Sequence, residues 1–279
     1  MALNSVNTST GAMIALQNLN VTNSALNTTQ NRINTGQKVS SAKDNGAIWA
    51  IAQNSRADIG ALDSVKDSVQ RGQSTVDVAI SAGETISDLL SQMKAKSLAA
   101  ADASLDTNSR TAMANDFVAL RNQIVKTIAS ASFNGTNLLK TGATALYSLA
   151  SADGQSKLTV ASQVMGLGAA AGAILTFTIA ATFATAATAS AMVTTMTNSI
   201  TNVNAAVAKL GTGSKALQTH LDFVSKLQDT MASGVGNLVD ADVAKESATL
   251  QALQTKQQLG IQALSIANSS SGSLLSLFR

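Results

Sequence analysis

Residues 62–93 read LDSVKDSVQRGQSTVDVAISAGETISDLLSQM, and the spacing of apolar and small residues in this stretch decides the fold. Nine consecutive steps alternate strictly between three and four residues, through Leu62, Val65, Val69, Gly72, Val76, Ala79, Gly83, Ile86, Leu90 and Met93. An α-helix brings positions at this spacing onto one stripe, here called the seam of the helix. The stretch therefore predicts a long helix whose seam packs against other helices.

Two further stretches carry the same spacing. The first runs through Met113, Phe117, Leu120, Ile124, Thr127 and Ala131, and the second from Met196 to Met231 through Ile200, Val203, Val207, Leu210, Ser214, Leu217, Leu221, Val224 and Gln228. The three seams predict helices of roughly 35, 25 and 40 residues, far above the average of about 12. Helices of that length bury their seams by lying along one another, so we predict a mainly α fold built as a long-helix coiled-coil rod.

The composition supports long helices and excludes several kinds of site. The 279 residues include no proline, which would break a helix, and no cysteine. With His220 as the single histidine, the chain has no zinc finger, iron–sulfur site, thiol nucleophile, disulfide or histidine-based triad. Aromatic residues make up 3% of the chain, and the net charge is +3. The basic residues are interspersed with acids and form no dense basic stripe, so we expect no nucleic-acid interface. We predict no enzyme activity, no cofactor and no metal.

The N-terminal end carries a weaker seam in a charge-free stretch. Its positions are Leu16, Leu19, Asn23, Leu26, Gln30 and Ile33, and residues 1–31 contain no charged side chain. A polar but uncharged helix with an apolar stripe suits burial against copies of itself better than free solution. Asn23 and Gln30 within the seam would fix its register at some cost in stability.

The C-terminal end shows the same pattern. Its seam runs through Leu250, Leu253, Gln257, Gly260 or Ile261, Leu264 and Ala267, and then Leu275 and Phe278. After Lys256, only Arg279 is charged. The two ends are therefore predicted to pair and to form the interface between subunits, and an ordinary hairpin of terminal helices within a monomer is the alternative.

The middle of the chain, about residues 140–190, changes character. ALYSLASADGQSKLTV places Asp153 and Gly154 between two short alternating apolar runs, which predicts a β-hairpin. AILTFTIAATF, from Ala173 to Phe183, could supply another strand or the start of a buried helix. FNGTNLL, from Phe133 to Leu139, is predicted to end the second long helix, with Gly135 as a positive-φ stop.

Other candidate sites have simpler interpretations. Val164–Ala184 is long enough to span a bilayer, but Ala, Gly and Thr contribute little to insertion, so a buried segment is favoured. GLGAAAG, from Gly166 to Gly172, lacks the strand, helix and acid of a dinucleotide site, and GTGSK, from Gly211 to Lys215, lacks the phosphate-loop spacing. His220 is favoured as a solvated helix residue. Acids near the start of the last helix offset its dipole: Asp240, Asp242 and Glu246.

Three segments resemble a known family. RINTGQKVSSAKDNGAIWAIAQNSR, from Arg32 to Arg56, resembles the most characteristic segment of bacterial flagellin, and the stretch from Asp240 to Arg279 resembles the flagellin C-terminus. FNGTNLL also resembles a motif of the family. The resemblance covers about residues 1–140 and 190–279. The residues that carry the motifs are Arg32, Asn34, Gly36, Ser41, Ala42, Lys43, Asp44, Phe133, Asn134 and Gly135.

The resemblance implies a function and a set of partners. Flagellins polymerise into the extracellular helical filament of the bacterial flagellum, which drives swimming. The resemblance implies that subunits are exported unfolded through the flagellar type III export gate with a dedicated chaperone, and that they meet the filament cap and the hook-junction proteins. No membrane insertion is implied. Gln92 stands where many flagellins carry an arginine read by an animal innate immune receptor, so recognition by that receptor is not expected.

The resemblance also divides the chain. Residues 1–38 and 243–279 would form a terminal filament-core coiled coil, residues 39–140 and 190–242 a helical rod domain, and residues 141–189 a short, surface-exposed central region. Two alternatives stay open at this point. One is a hook–filament junction protein, which shares flagellin-like ends, and the other is a membrane-anchored coiled-coil adhesion or signalling protein that spans the bilayer with residues 164–184.

Overall fold

A computed structural model describes residues 9–168 and 174–276, with side chains described up to Ser269. The chain divides into two compact units: a central unit, Asp58–Asp229, and a terminal unit that combines the chain up to Ala57 with the chain from Thr230 onward. The elements in chain order are α1 (Thr10–Thr35), α2 (Gly46–Ala100), α3 (Thr107–Ser130), β1 (Leu146–Leu149), β2 (Lys157–Val160), α4 (Ala186–Val239) and α5 (Val243–Ser276). These elements confirm the predicted mainly α fold with a small β-hairpin in the middle of the chain.

Side-chain acceptors fix where four of the helices begin. The side chains of Ser9, Asn45, Asp106 and Asp242 each accept a hydrogen bond from a backbone N–H in the first turn of α1, α2, α3 and α5 respectively. These bonds satisfy donors that have no partner inside a helix. At the other end of α1, Gly36 takes a left-handed conformation with φ 66°, which ends the helix.

The seam predicted for residues 62–93 is confirmed. All ten of its positions are buried in α2, and the buried spacing continues through Ser97 and Ala100. Antiparallel α4 packs against α2, because Ser87 lies within hydrogen-bond distance of Asn204 and Gln73 within that distance of Gln218. The α2 helix has 55 residues and α4 has 54, so both are longer than predicted.

The other two seams are offset in places from the prediction. In α4, the buried positions at this spacing are Met196, Ser199, Val203, Ala206, Leu210, Leu217, Val224 and Gln228, whereas Ile200, Val207, Ser214, Leu221 and Met231 are half-buried. In α3, the buried positions are Arg110, Ala114, Phe117, Arg121, Ile124, Ile128 and Ala131, whereas Met113, Leu120 and Thr127 are half-buried. Burial therefore follows the predicted spacing, but at some of these positions the buried residue is a neighbour of the predicted one. Several of these buried neighbours are small or charged.

Two arginines displace the seam of α3 because each is held by carbonyl groups. Arg110 donates from Nε to the carbonyl of Ala100 (3.0 Å), at the end of α2, and from Nη2 to the carbonyls of Asp102 and Leu105. Arg121 donates from Nη1 to the carbonyl of Ala181 (2.9 Å). Their apolar stems fill space in the core while the guanidinium groups reach backbone oxygens.

The predicted hairpin is confirmed, and it packs over glycines of two helices. β1 and β2 are antiparallel, and Gly154 in the connecting loop has φ 71°. A Cβ built on Gly72 of α2 would collide with the Ser148 side chain, and a Cβ on Gly213 of α4 would lie 2.8 Å from Cγ1 of Val160. These glycines therefore let the hairpin approach the helices closely.

His220 takes part in the same packing. Its ring is half-buried, and its Nε2 lies 2.9 Å from the carbonyl oxygen of Ala150, just after β1. The prediction of a solvated histidine is therefore wrong in this respect, since the side chain ties α4 to the hairpin.

The segment predicted as a further strand or buried helix is neither over its described residues, 174–183. Leu175 and Phe177 are buried while Thr176 between them is exposed, as in a strand, but side chains of α4 take the place of a partner strand. Ser199 accepts from the backbone N–H of Thr176 (3.2 Å), and Asn202 donates to the carbonyl of Ile174 (3.1 Å). The described part of the candidate membrane span, residues 164–168 and 174–184, contains no helix, and no helix elsewhere in the described chain is long and apolar enough to cross a membrane.

Candidate assembly surface

The first and last helices of the chain form an antiparallel pair, here called the terminal pair, α1 with α5. Three contacts set its register. Leu19 lies beside Gly260, Gln257 donates a 2.7 Å hydrogen bond to Oδ1 of Asn23, and Arg32 forms a 3.2 Å ion pair with Glu246. In each contact an earlier residue of α1 meets a later residue of α5, so the charge-free ends of both helices lie together.

The backbone after α1 is bonded to the turn between α4 and α5. The N–H groups of Lys38 and Val39 both donate to the carbonyl of Val239 (2.7 and 3.2 Å), and Ala241 donates to the carbonyl of Gly36 (2.9 Å). Val39 and Val239 are both buried. This junction fixes the ends of α1 and α5 next to each other, so the two helices leave it side by side.

A serine–aspartate loop precedes α2. One carboxylate oxygen of Asp44 accepts from the backbone N–H groups and the hydroxyls of both Ser40 and Ser41, at 2.9–3.1 Å. The backbone hydrogen bond from Ser41, followed by the hydroxyls of Ser40 and Ser41, lowers the pKa of Asp44 because these donors favour the charged form. This geometry orders the loop.

On α1, the structure separates the predicted seam residues into two groups. Leu19, Asn23, Leu26 and Ile33 are half-buried, with Thr22 and Thr29 buried among them. Leu16 and Gln30, in contrast, are exposed. The face against α5 thus runs through the two threonines, which the apolar pattern did not single out.

On α5, Leu250, Leu253 and Leu264 are half-buried at the predicted spacing. Of the two candidates at the next position, Gly260 faces α1 and Ile261 is 54% exposed. Gly260 therefore takes the seam position between the two helices of one chain, and Ile261 does not. The backbone of Leu275 lies in α5, and Phe278 lies outside the described residues.

Large apolar side chains project from both helices away from this seam. Those that are about half exposed or more include Met13, Ile14, Leu16 and Val21 of α1, and Val243, Leu259, Ile261 and Ile266 of α5. Most of them fall outside the predicted seam. The sequence feature that could have identified them is the occurrence of an apolar residue within a stretch that has no charges. Pairing within the chain leaves this apolar surface uncovered.

The family-motif residues fall into two places. In the terminal unit, Arg32 pairs with Glu246, Gly36 ends α1, Ser41 and Asp44 build the loop, and Asn34, Ala42 and Lys43 are exposed. In the central unit, Phe133, Asn134 and Gly135 form a tight turn, with φ 49° at Asn134 and φ 77° at Gly135.

That turn does not end a helix as predicted. The α3 helix ends at Ser130, and Phe133 and Thr136 then exchange two backbone hydrogen bonds of 2.9 Å across the turn. Two successive residues with positive φ are typical of a hairpin turn, for which Asn-Gly is the favoured sequence. The buried Asn137 bonds the carbonyl of Ile128 (2.7 Å) and so covers the end of α3.

Acidic side chains near the start of α5 have structural roles. Asp242 caps the helix, and Glu246 in its first turn holds Arg32. Among the described residues, no three His, Asp or Glu side chains are close enough to share a metal ion.

The long helices and the uncovered terminal pair define a class of protein, the structural subunits that complete their packing by associating with copies of themselves. The comparisons narrow this class. The family model for the bacterial flagellin N-terminal helical region matches residues 6–144, and the model for the C-terminal helical region matches residues 193–278. The chain belongs to the bacterial flagellin family.

Similar proteins match along the whole chain. Flagellin FljK from Caulobacter vibrioides is 58% identical and flagellin FljM from the same organism is 56% identical, each over 100% of both chains. A flagellin from Brucella melitensis is 37% identical over 99% of both chains. The protein is accordingly a structural subunit that self-polymerises into the extracellular bacterial flagellar filament.

Proposed function

We propose that the terminal pair is the surface through which this subunit polymerises. The observation that carries the proposal is the apolar surface that α1 and α5 leave uncovered, from Met13 to Val21 and from Leu259 to Ile266. Large apolar side chains left exposed in this number favour an interaction site. The charge-free composition of both ends favours a partner with the same composition, which is another copy of the chain.

Burial of this surface provides the free energy of assembly. No described side chain of α5 is fully buried, so its half-buried seam leaves area that a neighbouring subunit can cover. Obligate interfaces cover about 2,000–5,000 Å², and each Å² of apolar surface contributes about 25 cal/mol. We expect this gain to exceed the cost of ordering the two ends when the subunit joins the filament.

The division of the chain follows from the same proposal. Residues 1–38 and 243–279 form the filament-core coiled coil, residues 39–140 and 190–242 form the rod domain, and residues 141–189 face outward. The end of α1 at Thr35 and the start of α5 at Val243 lie close to the limits at 38 and 243, whereas the two compact units divide the chain at Ala57 and Thr230. Tyr147 in the hairpin and Ile179 after it are both exposed, as a surface region requires.

The polymerisation seam contains the predicted residues of both ends, including those that α1 and α5 do not bury against each other. Leu16, Gln30 and Ile261 are exposed in the single chain, and we assign them to contacts with other subunits. Asn23 and Gln257 fix the register of the pair through their hydrogen bond. We assign the chain no catalytic role.

The proposed partners in export and assembly follow from membership of the family. We propose that the chain is exported unfolded through the flagellar type III gate with a dedicated chaperone, and that it folds under the filament cap beyond the hook-junction proteins. The absence of cysteine and proline supports this route. A chain without them folds after export with no disulfide exchange and no slow proline isomerisation.

Truncation tests the proposal. Chains that lack residues 1–35 or 245–279 are expected to be soluble, helical and unable to extend filament seeds, as seen by electron microscopy. A chain from which the hairpin loop, residues 151–155, is removed serves as the control and is expected to polymerise. Normal filaments from either terminal truncation would refute the proposal.

A further inference from the structure

The terminal pair has two different sides. On one side, a groove of about 390 Å³ runs between the helices, lined by Ala15 and Leu19 of α1 and by Lys256, Leu259, Gly260 and Ala263 of α5. Small residues create this groove. Gly260 occupies a seam position that leucine takes at 253 and 264, and it faces Leu19 at 3.4 Å from where a Cβ would stand.

The opposite side carries a ridge. Leu16 and Ile261, 49% and 54% exposed, each follow by one residue a member of the groove, Ala15 and Gly260. One residue along an α-helix rotates the side chain by about 100°. In an antiparallel pair seen in projection, moving one residue forward on each helix rotates the two side chains in opposite senses. Both side chains therefore move away from the groove and toward the same side of the pair. Leu16 and Ile261 therefore stand together on the side away from the groove.

Ridge and groove lie at the same level along the pair. Leu19 is opposite Gly260 and Asn23 is opposite Gln257, so residues 16 and 261 are within about one helical turn of each other along the axis. The two features are back to back. The groove is also lined by the polar Asn18 and Thr22 and by one charged residue, Lys256, while its other five lining residues are apolar or small. The ridge has no charged residue, so it fits the apolar part of the groove.

Resting on the proposed polymerisation by the terminal pair, we propose that the Leu16–Ile261 ridge of one subunit packs into the groove over Gly260 of a second copy. Because a subunit that uses its ridge still presents a free groove, the contact is heterologous and can repeat from copy to copy. Heterologous contacts build an open helical filament when the rotation between successive copies does not close a ring. The occupant of the groove is thus a second copy of this chain.

The ridge and the groove can be altered separately. Leu16→Gln with Ile261→Gln makes the ridge polar at two exposed sites. Ala263→Leu fills the groove at a position that is also exposed, so the pairing of α1 with α5 is kept. Each full-length variant is mixed with wild-type seeds, and growth is followed by light scattering and electron microscopy. Circular dichroism verifies equal helix content, and Leu16→Ala with Ile261→Ala replaces the first variant if helix content falls.

We expect each variant to extend seeds at least about tenfold more slowly than wild type, because burial of two large apolar side chains is lost or blocked. In addition, the ridge variant keeps its groove and the groove variant keeps its ridge. Each variant should therefore cap a different end of labelled wild-type seeds. A mixture of the two variants should give short complexes without filaments.

Matched controls test the specificity of the site. Tyr147→Gln changes a large side chain that is 62% exposed, in the hairpin and outside the terminal pair. Ala252→Leu enlarges an exposed alanine of α5 outside the groove. Both controls are expected to extend seeds at the wild-type rate.

Three results would overturn the inference: wild-type growth of the ridge variant, an equal loss of growth in the controls, or capping of the same end by both variants. The terminal truncations separate this inference from the proposal on which it rests. If truncated chains fail to polymerise while the ridge variant polymerises normally, the inference fails and the proposed function stands. If truncated chains also polymerise, both fail.

Discussion

The α2 and α5 helices carry the same alternation of three and four residues, yet the chain buries them to different degrees. In α2, all ten predicted positions are buried, whereas in α5 the positions at that spacing are half-buried. Hydrogen bonds hold α2 to α4, and Arg110 of α3 holds the end of α2. The α5 helix packs on α1. The spacing therefore identifies the stripe of a helix and not the number of its neighbours.

The two helices also differ in the charged residues that they carry. The exposed faces of α2 carry ionisable residues such as Asp63, Lys66, Asp67 and Arg71, which keep that surface in water. The α1 helix has no charged residue before Arg32, and α5 has none after Lys256 within the described chain. Under the proposed function, neighbouring subunits of the filament cover the side of α5 that the chain leaves exposed. The predictions below test this difference, from the largest effect to the smallest.

The largest effect is expected from the same substitution in both helices. Ile86→Ala leaves a cavity in the buried seam of α2 and should lower the free energy of unfolding by about 2–5 kcal/mol. Ile261→Ala changes an exposed residue and should alter it by less than about 0.5 kcal/mol, while slowing seeded polymerisation. Urea unfolding of both variants measures the contrast. Equal losses of stability would show that α5 is as well packed as α2.

Substituting a glycine that has positive φ should affect only the unit in which that glycine lies. Gly36→Ala and Gly135→Ala each place a side chain at positive φ, 66° and 77°, at a cost of about 1–2 kcal/mol. We expect Gly135→Ala to lower the melting temperature of the central unit. Gly36→Ala should leave that temperature unchanged and increase amide hydrogen exchange in α1. The same response from both variants would mean that the two units unfold as one.

The hydrogen bond between Asn23 and Gln257 should contribute to the terminal pair alone. Gln257→Ala removes it and leaves the half-buried Asn23 without this donor, at a cost of about 1 kcal/mol. Faster amide exchange in α1 is the expected readout. Gln258→Ala, at an exposed neighbouring position, is the control and should show no change. No difference between the two variants would contradict a register role for Asn23.

The smallest effect is a pH dependence in the central unit. The hydroxyl of Ser109, followed by its backbone N–H, lowers the pKa of Asp106, which caps α3. A lowered pKa in the folded state means that the stabilisation is present above the unfolded pKa and is lost as the pH falls through the folded value. Asp106→Asn keeps the cap but cannot titrate. Below about pH 4, its melting temperature should fall less steeply than that of the wild type; an equal slope would contradict this.

The α2 seam and the hairpin at Asp153–Gly154 could be predicted from the sequence because local spacing and turn chemistry determine them. The α3 seam could not, since Arg110 and Arg121 enter the core by bonding distant carbonyls, such as that of Ala181. Spacing alone could not decide whether Gly260 or Ile261 lies in the seam, because both fit the alternation. It depends on Leu19, which occupies the space beside Gly260.

The segment after the hairpin shows the same limit. Leu175 and Phe177 alternate as a strand would, but no local pattern indicates that Ser199 and Asn202 of α4 bond their backbone instead. At the candidate site, the sequence indicated which ends associate. The apolar side chains that remain exposed, such as Ile14 and Ile266, could be recognised only once α1 and α5 were paired.

The central claim, that a neighbouring subunit covers the exposed side of the terminal pair, is tested most directly by thiol accessibility. The chain has no cysteine, so Ile261→Cys introduces a single reactive site, and Gln155→Cys in the exposed hairpin loop is the control. Maleimide labelling is compared in monomers and in filaments. We predict that Cys introduced at 261 is labelled at least about tenfold more slowly in filaments than in monomers, as burial excludes the reagent, while the control reacts equally in both. Equal labelling at position 261 in monomers and filaments would contradict the account.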